Sequence, residues 1–119
     1  MPMYDWNHYR SQLAAAAAGF AKLSPDTLKG YATLGGAGEK TGRLEAKFRE
    51  LIALAAAVSL RCDGCIAVHT AAARRHGATK EEIAEALGVA VSVNAGAALV
   101  YSMRTLDAFD EGAEKQAAA

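Results

Sequence analysis

The chain reads as an all-α protein, and three observations carry that reading. Alanine, leucine, glutamate and lysine dominate its 119 residues, β-branched clusters are scarce, and no segment keeps a convincing alternation of apolar and polar residues. The length suits one domain spanning residues 1–119, with no room for a second core of ordinary size.

The elements follow in order. Residues 5–22 form a first amphipathic helix, with Trp6, Tyr9, Leu13, Ala16, Ala17 and Phe20 on one side. Ser24-Pro25-Asp26 starts a second, a capping hydroxyl followed by proline at the first helical position. That helix runs to about Leu34, and Gly35-Gly36-Ala37-Gly38 opens a loop lasting through Gly42. A third helix covers about 43–60, with Glu45 and Arg49 spaced as an i,i+4 pair. Its second half, Leu51 to Leu60, is apolar all round except Ser59, so it must be covered on every side. A fourth helix starts near Cys62 or Asp63 and ends at His76, terminated by Gly77. Thr79-Lys80-Glu81-Glu82 matches a capping box and begins a helical region reaching about Asp110. A break near Asn94-Ala95-Gly96 would divide it into a fifth and a sixth helix, and the tail after Gly112 is expected to fray.

Composition narrows the function. Lys plus Arg and Asp plus Glu both number 13, so no electrostatic footprint points to nucleic acid or to an acidic membrane. Of the 52% hydrophobic residues, 29 are alanine, which bury little area each; a monomer would be marginal, and a homo-oligomer is expected. Small residues let helices approach closely, so much of Leu87–Tyr101 is expected at an interface. That segment, about 15 residues, is shorter than the roughly 20 a membrane span requires. The start, Met1-Pro-Met-Tyr-Asp-Trp, lacks the basic and apolar regions of a signal peptide. The expectation is a cytoplasmic protein without membrane or nucleic-acid partners. In that reducing compartment a close cysteine pair is more often redox-active or metal-binding than a structural staple.

The chemistry concentrates between Glu50 and His69. Cys62 and Cys65 are the only cysteines, three apart, and His69 follows Cys65 by four. On a helix the three fall within a sector of about 60°. Unsatisfied N–H groups and the positive dipole end at a helix start stabilise a thiolate, and His69 can accept a thiol proton. Glu50 could orient that imidazole or serve as the ultimate base, completing a nucleophile, base and orienter set. From spacing alone Glu50 reads first as a solvated partner of Lys47 or Arg43, and only the resemblance described next places it in the site. Asp63 opposes thiolate formation by its charge, and Gly64 opens access to the thiols. Two cysteines, a histidine and a glutamate would also suit zinc, but structural zinc sites usually draw ligands from two separate hairpins; neither metal nor cofactor is expected.

Glu50-x11-Cys62-x2-Cys65-x3-His69 resembles the signature of the carboxymuconolactone decarboxylase superfamily, in its alkyl hydroperoxidase D-like branch. The flanks agree: Arg49-Glu50-Leu51-Ile52-Ala53-Leu54 before, His69-Thr70 and alanines after, then Gly77-Ala78-Thr79-Lys80-Glu81-Glu82-Ile83. The resemblance covers roughly residues 40–110. It implies an all-helical bundle of about six helices, assembled as trimers or hexamers. It also implies a thiol-dependent peroxidase: Cys65 attacks the hydroperoxide, Cys62 resolves it as a disulfide, His69 and Glu50 relay protons, and an external dithiol resets the pair. The founding peroxidase type carries a histidine just before the second cysteine, where this chain has Gly64. Decarboxylases of the superfamily generally lack the cysteine pair. A decarboxylase or lactone enzyme, with Lys47, Arg43 or Arg61 as a substrate anchor, is one alternative; a non-enzymatic redox-sensing or metal-holding helical oligomer is another.

Overall fold

A computed structural model describes residues 2–118, with side chains for 2–113. Six helices occur among the described residues and no strand: α1 (Trp6–Leu23), α2 (Pro25–Gly35), α3 (Ala37–Thr41), α4 (Ala46–Leu60), α5 (Asp63–Arg75) and α6 (Lys80–Ala118). Helix α4 packs against both α5 and α6, while α1 packs against α2 and α5.

The start and stop signals account for most boundaries. Asp5 caps α1 through the amide of His8, at 3.1 Å. Ser24 and Pro25 open α2 as expected, but the Ser24 hydroxyl bonds that of Thr27 at 2.7 Å and caps no backbone amide. His76 and Gly77 end α5, Gly77 with φ +81°, the left-handed geometry glycine adopts without a Cβ penalty. The capping box forms in both directions: Glu82 N–H donates to Thr79 Oγ1 at 3.1 Å, and Thr79 N–H to Glu82 Oε1 at 2.9 Å.

Three expectations are corrected. The glycine-rich stretch is not all loop, because Ala37–Thr41 winds a short helix before Gly42 ends it at φ +66°. Helix α4 begins at Ala46, not 43, with Glu45 extended at its N-cap; Arg49 turns its guanidinium back to the Leu44 carbonyl and forms no pair with Glu45. Helix α6 does not break at Asn94. Asn94 Nδ2 instead donates to Ala90 O at 2.7 Å and to Ser59 Oγ at 2.8 Å, so the amide ties α6 to α4 while the helix continues. Single Asn and Gly residues weaken a helix by at most about 1 kcal/mol each, less than the surrounding alanines and leucine sustain. The backbone stays helical past Gly112, through Ala118.

The core is small and sits where α4, α5 and α6 meet. Its fully buried members are Leu54, Ala57, Ala67, Ala72, Ala73 and Ala90. Phe48, Ile52 and Leu60 of α4 stay exposed, as does every described residue of α6 from Val91 onward. The radius of gyration is 20.3 Å, against about 13–14 Å for a compact domain of this length. Helix α6 is long and apolar enough to cross a membrane by length and composition alone. Its exposed apolar residues include Val93, Leu99, Val100 and Phe109, with Arg104, Asp107 and Asp110 among them.

Candidate functional site

The turn between α4 and α5 builds the site. Arg61 ends α4 in the left-handed conformation (φ +55°), reversing the chain into Cys62. Cys62 is the N-cap of α5, with extended backbone, rather than part of its first turn; Asp63, Gly64 and Cys65 fill that turn. The Cys65 amide donates to Cys62 Sγ at 3.1 Å, so the sulfur takes the place an N-cap oxygen usually occupies. The two cysteines are joined as a disulfide, with Cα atoms 5.2 Å apart. Asp63 lies in the first turn, where its carboxylate complements the positive helix end.

One turn further along α5 stands His69, on the same face as Cys65 by its i,i+4 spacing. Its Nδ1 lies 2.7 Å from Glu50 Oε2, across the α4–α5 interface. Both side chains are partly enclosed, His69 at 31% and Glu50 at 19% exposure. A carboxylate only accepts, so against ionised Glu50 it is Nδ1 that carries the donated hydrogen, and in the neutral imidazole this leaves Nε2 as the acceptor. The alternative in which Glu50 pairs with Lys47 is not what forms: Lys47 Nζ reaches Glu82 Oε2 of α6 at 2.9 Å. Of the sequence-predicted set, the structure pairs Cys62 with Cys65 and His69 with Glu50, and Cys65 and His69 share a face of α5 by their spacing. Among the described residues no cluster of three His, Cys, Asp or Glu side chains is placed to hold a metal ion.

Helix α1 contributes what motif reading missed. The space over Gly64 is filled, not open: a Cβ there would stand 3.5 Å from Leu13 Cδ2 and 3.7 Å from the Tyr9 hydroxyl. Arg10 fastens α1 in place, donating from Nε to Ala67 O at 2.8 Å and from Nη2 to Thr70 Oγ1 at 2.9 Å. Tyr9 and Leu13 were legible only as the apolar face of an amphipathic helix. Nothing in the local pattern says which residues, more than 50 positions later, that face covers.

The model of the carboxymuconolactone decarboxylase family matches residues 25–108. The chain belongs to that family. A crystal structure of a carboxymuconolactone decarboxylase family protein from Legionella pneumophila superposes with a TM-score of 0.71 at 38% identity, covering 89% of this chain and 95% of that one. An uncharacterized protein of Haemophilus influenzae is 43% identical over 105 residues, 88% of this chain and 93% of its own length. An uncharacterized protein encoded in the cox locus of Paracoccus denitrificans is 43% identical over 70 residues, 59% of this chain and 63% of its own. The family match and the structural likeness agree with the all-helical architecture, and the Cys62–Cys65 pair is consistent with the family's alkyl hydroperoxidase D-like branch.

Proposed function

We propose that the protein is a thiol-dependent peroxidase that reduces organic hydroperoxides through Cys65 and a Cys62–Cys65 disulfide. The observation that carries this reading is the bonded cysteine pair at the start of α5, with the Glu50-tethered His69 one turn beyond it on the Cys65 face. In the reduced protein, His69 Nε2 takes the Cys65 thiol proton while Glu50 holds Nδ1. The thiolate attacks the terminal peroxide oxygen and the O–O bond breaks. The alkoxide leaves as an alcohol, taking the proton from His69, and Cys65 becomes a sulfenic acid. The Cys62 thiol then attacks that sulfur, water departs, and the disulfide forms. An external dithiol carrier resets it by thiol–disulfide exchange, becoming oxidised in turn.

The protein acts, in this reading, as a homo-oligomer in which the exposed apolar residues of α6 are covered by further copies. The 20.3 Å radius of the single chain and the exposure of Val93, Leu99 and Val100 support that part. A decarboxylase reading finds less support, because of its three candidate anchors, Lys47, Arg43 and Arg61, the first is engaged by Glu82.

The test is a thiol titration before and after one equivalent of cumene hydroperoxide. Wild type should lose two thiols per chain and release one equivalent of alcohol. Cys62→Ser should stop at a sulfenic acid that dimedone traps, and Cys65→Ser should not consume peroxide. Peroxide consumption by Cys65→Ser at the wild-type rate would falsify the assignment.

A further inference from the structure

Where α1 crosses the second half of α5, an open cleft of about 780 Å³ gathers four cations from three helices: Arg10 of α1, Arg74 and Arg75 of α5, and Lys80 of α6. No acidic side chain lines it. Among the described residues none of the four forms an ion pair, the two pairs present being Lys47–Glu82 and His69–Glu50. Arg74 and Arg75 complement the negative end of α5, but that role needs neither Arg10 nor Lys80 in the same cleft. Arg10 is half-buried, and three of its five N–H groups are engaged, by Ala67 O, Thr70 Oγ1 and Asn7 Oδ1. Two N–H groups therefore remain on a guanidinium that is already fixed in position.

An apolar groove of about 320 Å³ adjoins this cleft and shares Arg10, Ala71 and Arg75 with it. It runs between α1 and α5 along Leu13, Ala17 and Val68. Neither cysteine lines either cavity. The two together present a cationic head and an apolar trough, continuous through the same two arginines.

We propose that they form one binding site for an amphiphilic anion. A carboxylate or phosphate monoester headgroup sits among Arg10, Arg74, Arg75 and Lys80, and an alkyl chain lies along Leu13, Ala17 and Val68. Four like charges in one cleft repel one another until an anion neutralises them, and guanidinium groups match planar or tetrahedral oxyanions with paired N–H donors. The apolar trough distinguishes this ligand from a free inorganic ion, since burying methylenes there adds affinity that phosphate lacks. The site stands on these cavities alone and does not depend on the peroxidase reading.

Calorimetric titration of the full chain tests it, with dodecanoate, dodecyl phosphate, dodecanol and inorganic phosphate as separate probes below their micellar concentrations. At least one of the two amphiphilic anions should bind saturably at one per chain, and the tighter of them identifies the headgroup. Dodecanol and inorganic phosphate should each bind about tenfold more weakly or worse, since each lacks one half of the interaction. The exposed replacement Arg74→Gln with Arg75→Gln should weaken the anion about tenfold, and Ala17→Asp should weaken it through the trough, both with unchanged helical circular dichroism. Raising salt from low to molar concentration should weaken it further. Equal binding of dodecanol and dodecanoate, undiminished binding by the double variant, or no binding of either anion would overturn the proposal.

Discussion

His69 Nδ1 and Glu50 Oε2 meet at 2.7 Å across the interface of α4 and α5, linking a helix that holds no thiol to the helix that starts at the cysteines. The contact joins residues 19 positions apart and is partly shielded from water. If the two groups act on Cys65 as one unit, their removals should not add. Glu50→Gln and His69→Phe are each expected to slow peroxide consumption by about 10²-fold, and the double variant by little more than the His69 variant alone. Both should move the pH profile of iodoacetamide alkylation of the reduced protein to higher pH. Fully additive losses, or profiles identical to wild type, would remove the relay.

Gly64 gives a sharper structural prediction. It sits in the first turn of α5 with an ordinary helical φ, so alanine meets no backbone strain there. A Cβ would make normal contact with Leu13 and the Tyr9 hydroxyl. Gly64→Ala is therefore expected to raise stability by about 0.5–1 kcal/mol, from the lower entropy of the unfolded chain. Gly64→His, which introduces the residue type of the founding peroxidases, must push into Leu13 and Tyr9. It should lower stability by about 1–3 kcal/mol, the range for overpacking. Urea denaturation of the reduced proteins reads both. A Gly64→His variant as stable as wild type would mean that α1 does not occupy this space in solution.

Local chemistry made much of this molecule legible in advance. The Thr79–Glu82 box, the Gly77 terminator and the helix start at Pro25 are decided within four residues, and each formed at its expected position, although the Ser24 hydroxyl bonds Thr27 instead of capping an amide. The pairing of Cys62 with Cys65 is likewise local. Glu50 was ambiguous because its competitors, Lys47 and Arg43, are local, whereas its partner is fixed by how α4 lies on α5. The expected break at Asn94 failed for the same kind of reason, since the Asn94 amide is used by Ser59 on another helix. Arg10, Tyr9 and Leu13 reach the site from α1 through tertiary packing, for which spacing carries no signal.

The Lys47–Glu82 pair tethers α4 to the start of α6 and predicts a pH window. Bonding to Lys47 first, and to Thr79 next, holds the Glu82 carboxyl below its ordinary 4.5, while Glu82 holds the Lys47 ammonium above its ordinary 10.5. A carboxyl lowered on folding stabilises fully above 4.5 and loses that contribution as pH falls through its depressed value. An ammonium raised on folding stabilises fully below 10.5 and loses it as pH rises through its elevated value. Lys47→Met should therefore differ from wild type most between these limits, and the difference should shrink outside them and in high salt. The pair is solvent-accessible, so the effect is small. Thermal melts across pH with and without salt check this; a gap that is constant from pH 3 to 8 would sink it.

Leu54, at 2% exposure, is the one large side chain among the buried residues, whose other members are alanines with no rotamers to fill a void. Leu54→Ala is expected to lose about 2–5 kcal/mol, as for other buried leucines. The residues left exposed should respond differently. Val93 and Val100, seven apart on one face of α6, are 65% and 54% exposed in the single chain. If nothing covers them, Val93→Glu with Val100→Glu should leave stability nearly unchanged, within the range of ordinary surface substitutions. If further copies of the chain cover them, the paired carboxylates would be buried without partners, and the assembly should dissociate. Sedimentation velocity of wild type and the double variant separates the outcomes. We expect an oligomer for wild type and a smaller species for the variant, with melting that depends on protein concentration only in the former. A wild-type protein that sediments as a single chain at micromolar concentration would leave the apolar face of α6 without the partner assigned to it.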